Sequence, residues 1–406
     1  MSSAACSDAE APAGAPTSAP PDRERRATWL ELFFDLVFAA AVADVGGALG
    51  ADYSPSGLGR FAFLFILIWR AWVDHTFLAT RFDPDGPAHR LLTLGQVGAI
   101  AVMAINAETD LGSREAAGFA ASYAVTRLLL MLQYLQLTGT PASRRLAATH
   151  AIGAGMGAVL WLGAALVPPP ARFVGWAVAL MIDTLTPVIA TRAGGPHPPD
   201  PAHLPERFGL FSLILLGEAV VATMAGMRHQ ETWSAPAASA AALGLGLTFA
   251  FWWGYYERAG AAKPRSLATE ADRRRLWTWS AAHLPFCFGI AVASVGIERV
   301  VAGGGMAALG SGAALLSGGI ALALAGLGAV AANSDACGST GAVKRHAVGS
   351  LVALFGAAWG DQAPVWLLAA LTAVALGVVV ARPERETRIT APRTGSPSPA
   401  RSWPAP

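Results

Sequence analysis

The sequence predicts an all-α, polytopic membrane protein of about twelve transmembrane helices. Three observations predict it. Of 406 residues, 54% belong to the set AVILMFWYC and only 14% are charged, a balance too apolar for a soluble domain of this length. Mean hydropathy is +0.45. The apolar residues fall into stretches of membrane length separated by short polar breaks, as spans across the roughly 30 Å of bilayer hydrocarbon require. The same composition excludes other classes. A disordered chain would be far more polar. Three cysteines without a pattern, Cys6, Cys287 and Cys337, do not make a disulfide scaffold. A net charge of +2 lacks the basic footprint of a nucleic-acid binder.

Residues 1–27 are rich in Ala, Pro and Ser and hold a charged cluster at Asp22–Arg26. They contain no apolar core of signal-peptide length and read as a disordered cytoplasmic tail. A first membrane half follows over 28–191, with spans at about 29–50, 58–79, 91–107, 115–138, 146–167 and 173–191. The third span is short for a bilayer crossing, and Pro187 is expected to end the sixth. A Pro-rich linker, 192–207, carries His197 and His203, both expected to be solvated. The second half, 208–381, has spans at about 208–227, 238–257, 277–298, 305–332, 345–360 and 363–381. The eleventh is short, Pro285 lies inside the ninth, and the last three are rich in Gly and Ala, which suits close helix packing in lipid. Residues 382–406 read as a second disordered cytoplasmic tail.

Charge supports an even number of spans. The tail at 21–28, the even-numbered loops and the start of the C-terminal tail hold 21 Lys and Arg, against 5 in the odd-numbered loops. Under the positive-inside rule both termini are cytoplasmic. The largest contribution, six between Arg258 and Arg275, reads as topogenic charge in contact with anionic lipid. Weak internal similarity suggests a 6+6 parallel repeat. Glu31 and Phe33 lie 175 residues before Glu206 and Phe208, and Trp69 precedes Asp74 by the same five residues that separate Trp252 from Glu257. Two six-span halves would share one orientation and be related by an axis along the membrane normal.

The candidate functional residues are the polar groups within the spans. A charge at the bilayer centre costs roughly 2.5–3.5 kcal/mol on insertion scales, so such groups face a partner or a cavity. Glu31 and Asp35 are four apart on one face of the first span. Arg70 and Asp74 are four apart in the second and read as a buried structural pair. Arg127 in the fourth span, with Tyr123 and Tyr134 on about the same face, is expected to pair with an acid on another span, for example Asp35 or Glu218. Asp35, Asp183 and Glu218 are the strongest candidates for substrate or ion coupling. His283 reads first as a hydrogen-bonded packing histidine and second as a proton relay; with Cys287 it supplies only two ligands, too few for a zinc site. Glu206, Arg207, Glu257, Glu298 and Arg299 lie near span ends and are expected to reach the headgroups. No P-loop, HExxH or GxSxG motif occurs where it would signal an ATPase or hydrolase. No metal or cofactor is implied.

The segments TWLELFFDLVF at Thr28–Phe38 and HLPERFGLFSLILLGEAV at His203–Val220 resemble the bacterial low-temperature-requirement protein A (LtrA) family. So do WRAWVDHTFLATRFD at 69–83, FWWGYYER at 251–258, HLPFCFGIAVASVGIERV at 283–300 and the acid before proline in MIDTLTP. The likeness runs from about 28 to 382. It implies a multi-pass inner-membrane protein and assigns no reaction. Family-like positions are Glu31, Asp35, Asp74, Glu206, Arg207, Glu218, His283 and Glu298; the second span has Trp-Val-Asp-His where the family has a Trp–Tyr-type sequence. Twelve spans, a possible doubling, no ATPase motif and several buried carboxylates together predict a secondary, ion- or proton-coupled transporter of a small solute or ion. The alternatives are an intramembrane lipid-modifying enzyme and a non-catalytic membrane sensor or assembly partner. The bilayer is the only partner the sequence itself implies, and it leaves the oligomeric state open.

Overall fold

The computed structural model describes residues 26–108, 111–113, 116–139, 143–194, 197–259, 269–306, 310–334, 340–359 and 364–380. Cys6, Cys337, most of both terminal tails and much of the basic loop at 258–275 lie outside the described residues. Among the described residues there are twelve α-helices and no strand. They are α1 (Trp29–Ala51), α2 (Pro55–Phe82), α3 (Pro87–Ile105), α4 (Ala116–Gln136), α5 (Arg144–Ala165), α6 (Ala171–Gly194), α7 (His203–Arg228), α8 (Ala235–Trp253), α9 (Glu270–Ala302), α10 (Ser311–Ser334), α11 (Thr340–Trp359) and α12 (Pro364–Val380). The first ten are long and apolar enough to cross a membrane; α12 is apolar but has 17 residues. The chain is a multi-pass helical membrane protein.

Local chemistry sets the helix ends. Thr28 caps α1 and Thr269 caps α9, each in a reciprocal capping box with the acid three residues on, Glu31 and Asp272. The second box extends α9 to 33 residues, well before the expected start at 277. Pro187 does not end α6, which continues to Gly194. Proline lacks the N–H that would bond the carbonyl four residues earlier. Here that carbonyl, Asp183 O, accepts from Arg70 Nη2 at 3.2 Å, so the helix passes through the proline without an orphaned acceptor.

Three helices define the functional region. α1 and α7 run parallel, because their starts meet through Asp35 and Arg207 and their second halves line one cavity. α9 runs with them, since Phe208 meets His283 and Ser212 meets Cys287 one turn further on. α2 runs the other way: Phe34 stacks on His75 and Asp35 bonds Trp72. The end of the bundle where α1, α7 and α9 begin is called the first face, and the opposite end the second face.

α9 and α10 approach most closely. A Cβ on Gly289 would lie 2.4 Å from Ala323 N, one on Gly319 2.7 Å from Ala293 N, and one on Gly326 2.4 Å from Phe286 N. Only glycine lets backbone meet backbone at that range, the small-residue packing that lipid-embedded helices use.

Candidate functional site

At the first face, α1 and α7 interlock through charge. Glu31 and Asp35 lie one turn apart on α1, as do His203 and Arg207 on α7, so each helix presents a matched pair. Arg207 forks onto Asp35 (Nε to Oδ2 2.9 Å, Nη2 to Oδ1 2.6 Å) and pairs with Glu31 (Nη1 to Oε1 2.9 Å). His203 Nε2 lies 3.3 Å from Glu31 Oε2. Trp72 Nε1 on α2 donates to Asp35 Oδ1 at 2.7 Å. Asp35, His203 and Arg207 are fully buried. Two carboxylates face one guanidinium and one imidazole.

A second ionic cluster joins α2, α4 and α6. Asp74 pairs with Arg70 on its own helix and with Arg127 Nη1 on α4 at 2.6 Å. Arg127 Nε lies 3.7 Å from Asp183 Oδ2 on α6, and its Nη2 donates to Tyr123 Oη at 2.9 Å. Two cations and two anions cancel. Gly157 on α5 makes room for Asp183, since a Cβ there would stand 2.8 Å from Oδ1. This cluster fits a structural tie between three helices: the gap among Asp74, Arg127, His150 and Asp183 is about 10 Å³, too small for a solute.

Between the first cluster and the second face lie an aromatic layer and a cavity. Trp72 meets Phe208 and Phe211 at ring separations of 4.9 and 4.4 Å, and Trp69 packs beside them. His283 closes the layer on α9. Its Nδ1 donates to Trp279 O at 2.8 Å, which leaves Nε2 to accept from Tyr255 Oη at 3.0 Å. Tyr255 comes from a π-helical stretch, Gly254–Ala259, that continues α8. Beyond this layer the three helices part around a cavity of about 720 Å³. α1 contributes Gly46, Gly47 and Gly50, α7 Leu215 and Glu218, and α9 Ser294 and Glu298. Tyr53, His229 and Gly303 mark its mouth at the second face. From His229 to Glu218 the helix rises roughly 16 Å, so the cavity reaches the middle of the bundle.

The structure therefore sorts the sequence candidates into four places, His283 lying in the aromatic layer. Glu31 and Asp35 join at the first face, Asp74, Arg127 and Asp183 join in the second cluster, and Glu218 lines the cavity. Arg127 does not pair with Asp35 or Glu218, because Arg207 holds the α1 acid and α4 packs against α2. Arg207 does not reach headgroups and His203 is not solvated: both are buried against Glu31. Their four-residue spacing, matching Glu31 and Asp35, was the sequence signal for this role. Glu298 is half-buried on the cavity rather than at the headgroups, while Glu257 and Arg299 are exposed. Among the described residues, no three His, Cys, Asp or Glu side chains group closely enough to hold a metal ion.

The chain is 28% identical over 299 residues to the uncharacterized protein RA0937 of Rhizobium meliloti (strain 1021), a match covering 69% of this chain and 70% of that protein. The family model described as bacterial low temperature requirement A protein (LtrA) matches residues 26–381. That span takes in the α1–α7 charge lock, the Arg127 cluster and the cavity alike, and the chain belongs to the LtrA family.

Proposed function

We propose that the protein is a secondary transporter, driven by an ion or proton gradient, that works by alternating access. One observation carries this reading. The parallel helices α1 and α7 are tied by buried ion pairs at the first face and parted by a cavity at the second. Such an arrangement suits a carrier open to one side, with the ion cluster as its closed gate and the aromatic layer as the barrier between. α1 and α7 are the first helices of the halves 28–191 and 208–381, so the site falls where a 6+6 repeat would meet. The charge bias of the loops supports an inner-membrane protein with both termini cytoplasmic. The gate then faces the cytoplasm and the cavity faces outward. His203 and Glu31 meet across the gate, so their contact must also part for it to open.

Purified protein in sealed liposomes, under imposed pH and sodium gradients, tests the reading. Gradient-driven solute flux is expected in wild type and is expected to fall in Asp35→Asn and Glu218→Gln. Flux unchanged in both variants would sink the mechanism.

A further inference from the structure

The cavity between α1, α7 and α9 has a chemical character of its own, and it points to a class of solute. Glu218 stands deep in it, half-buried, with no hydrogen bond or ion pair among the described residues. Glu298 is a second carboxylate on the wall. The cation of the lining is Arg299, at the mouth, held over the Tyr53 ring at 4.7 Å. With His229 neutral the lining carries one net negative charge. The backbone acts in the same sense. α1, α7 and α9 all end around the mouth, and three helix C-termini turn their partial negative charges toward it. Apart from Ser294 and Tyr53, the rest of the wall is small and apolar: Val42, Ala43, Ala222 and Val295 among others. At about 720 Å³ the space fits an organic molecule of the size that occupies typical ligand pockets, roughly 300–1,000 Å³. A bare inorganic ion would leave most of it empty.

We infer that this cavity binds an organic monocation with an apolar body, the charge paired with Glu218 and the body against the glycine-lined face of α1. The inference rests on the transporter reading for its biological sense, but binding and transport are separable. An amphipathic cation meets both halves of the wall: the carboxylate answers its charge, and the apolar surface answers its body. An anion of the same size would meet Glu218, Glu298 and three helix C-termini, all repelling it.

The test is equilibrium binding of radiolabelled tetraphenylphosphonium to the full-length protein in detergent, with tetraphenylborate as the anion of matching shape. Wild type is expected to bind the cation saturably and the anion not at all. Glu218→Gln should weaken binding about 10- to 100-fold, the range for losing a bond to a charged group. Asp44→Asn, an exposed acid outside the cavity, should change nothing. Gly47→Leu fills the cavity without touching charge; a Cβ there meets nothing within 4 Å, so the backbone leaves room for the side chain, and the variant, once its folding is checked by thermal unfolding, should lose binding. No saturable cation binding, equal binding by Glu218→Gln, or equal binding of the anion overturns the inference. Flux in liposomes separates the two claims. Cation binding without uptake under any gradient refutes the carrier and leaves the binding site. Gradient-driven flux of another solute, with no cation bound, refutes the site and leaves the carrier.

Discussion

Replacing Asp35 by Asn should loosen the gate, and the native thiol of Cys287 can report it. Asp35 accepts two bonds from Arg207 and one from Trp72. Asparagine has nearly the same shape but no charge, and it turns one acceptor into a donor facing a guanidinium. Bonds to charged groups contribute about 1.5–3 kcal/mol against about 1 for neutral ones. Weakening the two Arg207 bonds by that difference, about 0.5–2 kcal/mol each, removes about 1–4 kcal/mol from the closed gate, while the Glu31–Arg207 pair remains. At 1.4 kcal/mol per decade, the fraction of molecules with the gate open rises about 5- to 700-fold. Cys287 lies on α9, 1% exposed, with Sγ 3.7 Å from Ser212 Oγ. Ser212 is about one turn beyond Arg207, and Leu215 of the cavity floor is about one further turn on. The thiol therefore sits behind the gate and below the cavity. In a background with Cys6→Ser and Cys337→Ser, the rate of maleimide labelling measures how often the gate opens. Labelling should be slow in the parent and faster by that factor in Asp35→Asn, with Asp35→Glu remaining slow. A change of less than about threefold in folded protein, set against the roughly fivefold minimum expected from the bond energies, would refute the gate.

Three further outcomes follow from the packing. Arg127→Met leaves Asp183 buried without its cation and should cost about 3–5 kcal/mol in thermal unfolding, with more than half recovered in the Arg127→Met/Asp183→Asn double variant; equal stability of the single variant and wild type refutes the tie. Tyr255→Phe removes the hydroxyl that bonds His283 and should cost about 1 kcal/mol while leaving flux unchanged; a collapse of flux at unchanged stability would make His283 a proton relay instead. Gly326→Ala drives a methyl to 2.4 Å from Phe286 N and should destabilise by about 1–3 kcal/mol in a denaturation series, because neither backbone can yield.

The helical fold was legible in the sequence because bilayer thickness imposes one length scale on every span. The same logic singled out Glu31, Asp35, Asp74, Asp183 and Glu218, and the structure places each of them in an ionic cluster or on the cavity wall. Their partners were harder to read. Arg207 lies five residues into its helix, where a long side chain can snorkel to water or turn inward, and sequence position does not distinguish the two. Only the packing of α7 on α1 turns it inward. Arg127 had several acids of suitable depth to choose from, and helix adjacency decided among them. Pro187 was read as a stop because a proline's own helix cannot satisfy the carbonyl it frees; the satisfying donor, Arg70, comes from α2 and lies 117 positions earlier in the chain. The cavity had no sequence signal, since Gly46, Gly47 and Gly50 read equally well as close-packing residues.

The glycine contacts between α9 and α10 bear on how the chain can move and how it can vary over time. With backbone against backbone at three levels, the two helices form one stiff beam, and sliding one past the other would drive side chains into main chain. Rearrangement at the α1–α7 lock must then swing against that beam rather than within it. Inheritance is constrained in the same way. A single residue inserted midway along either helix would rotate the glycines beyond it by about 100°, out of register with their partners. The α9–α10 beam therefore tolerates neither insertion nor deletion between its glycine contacts.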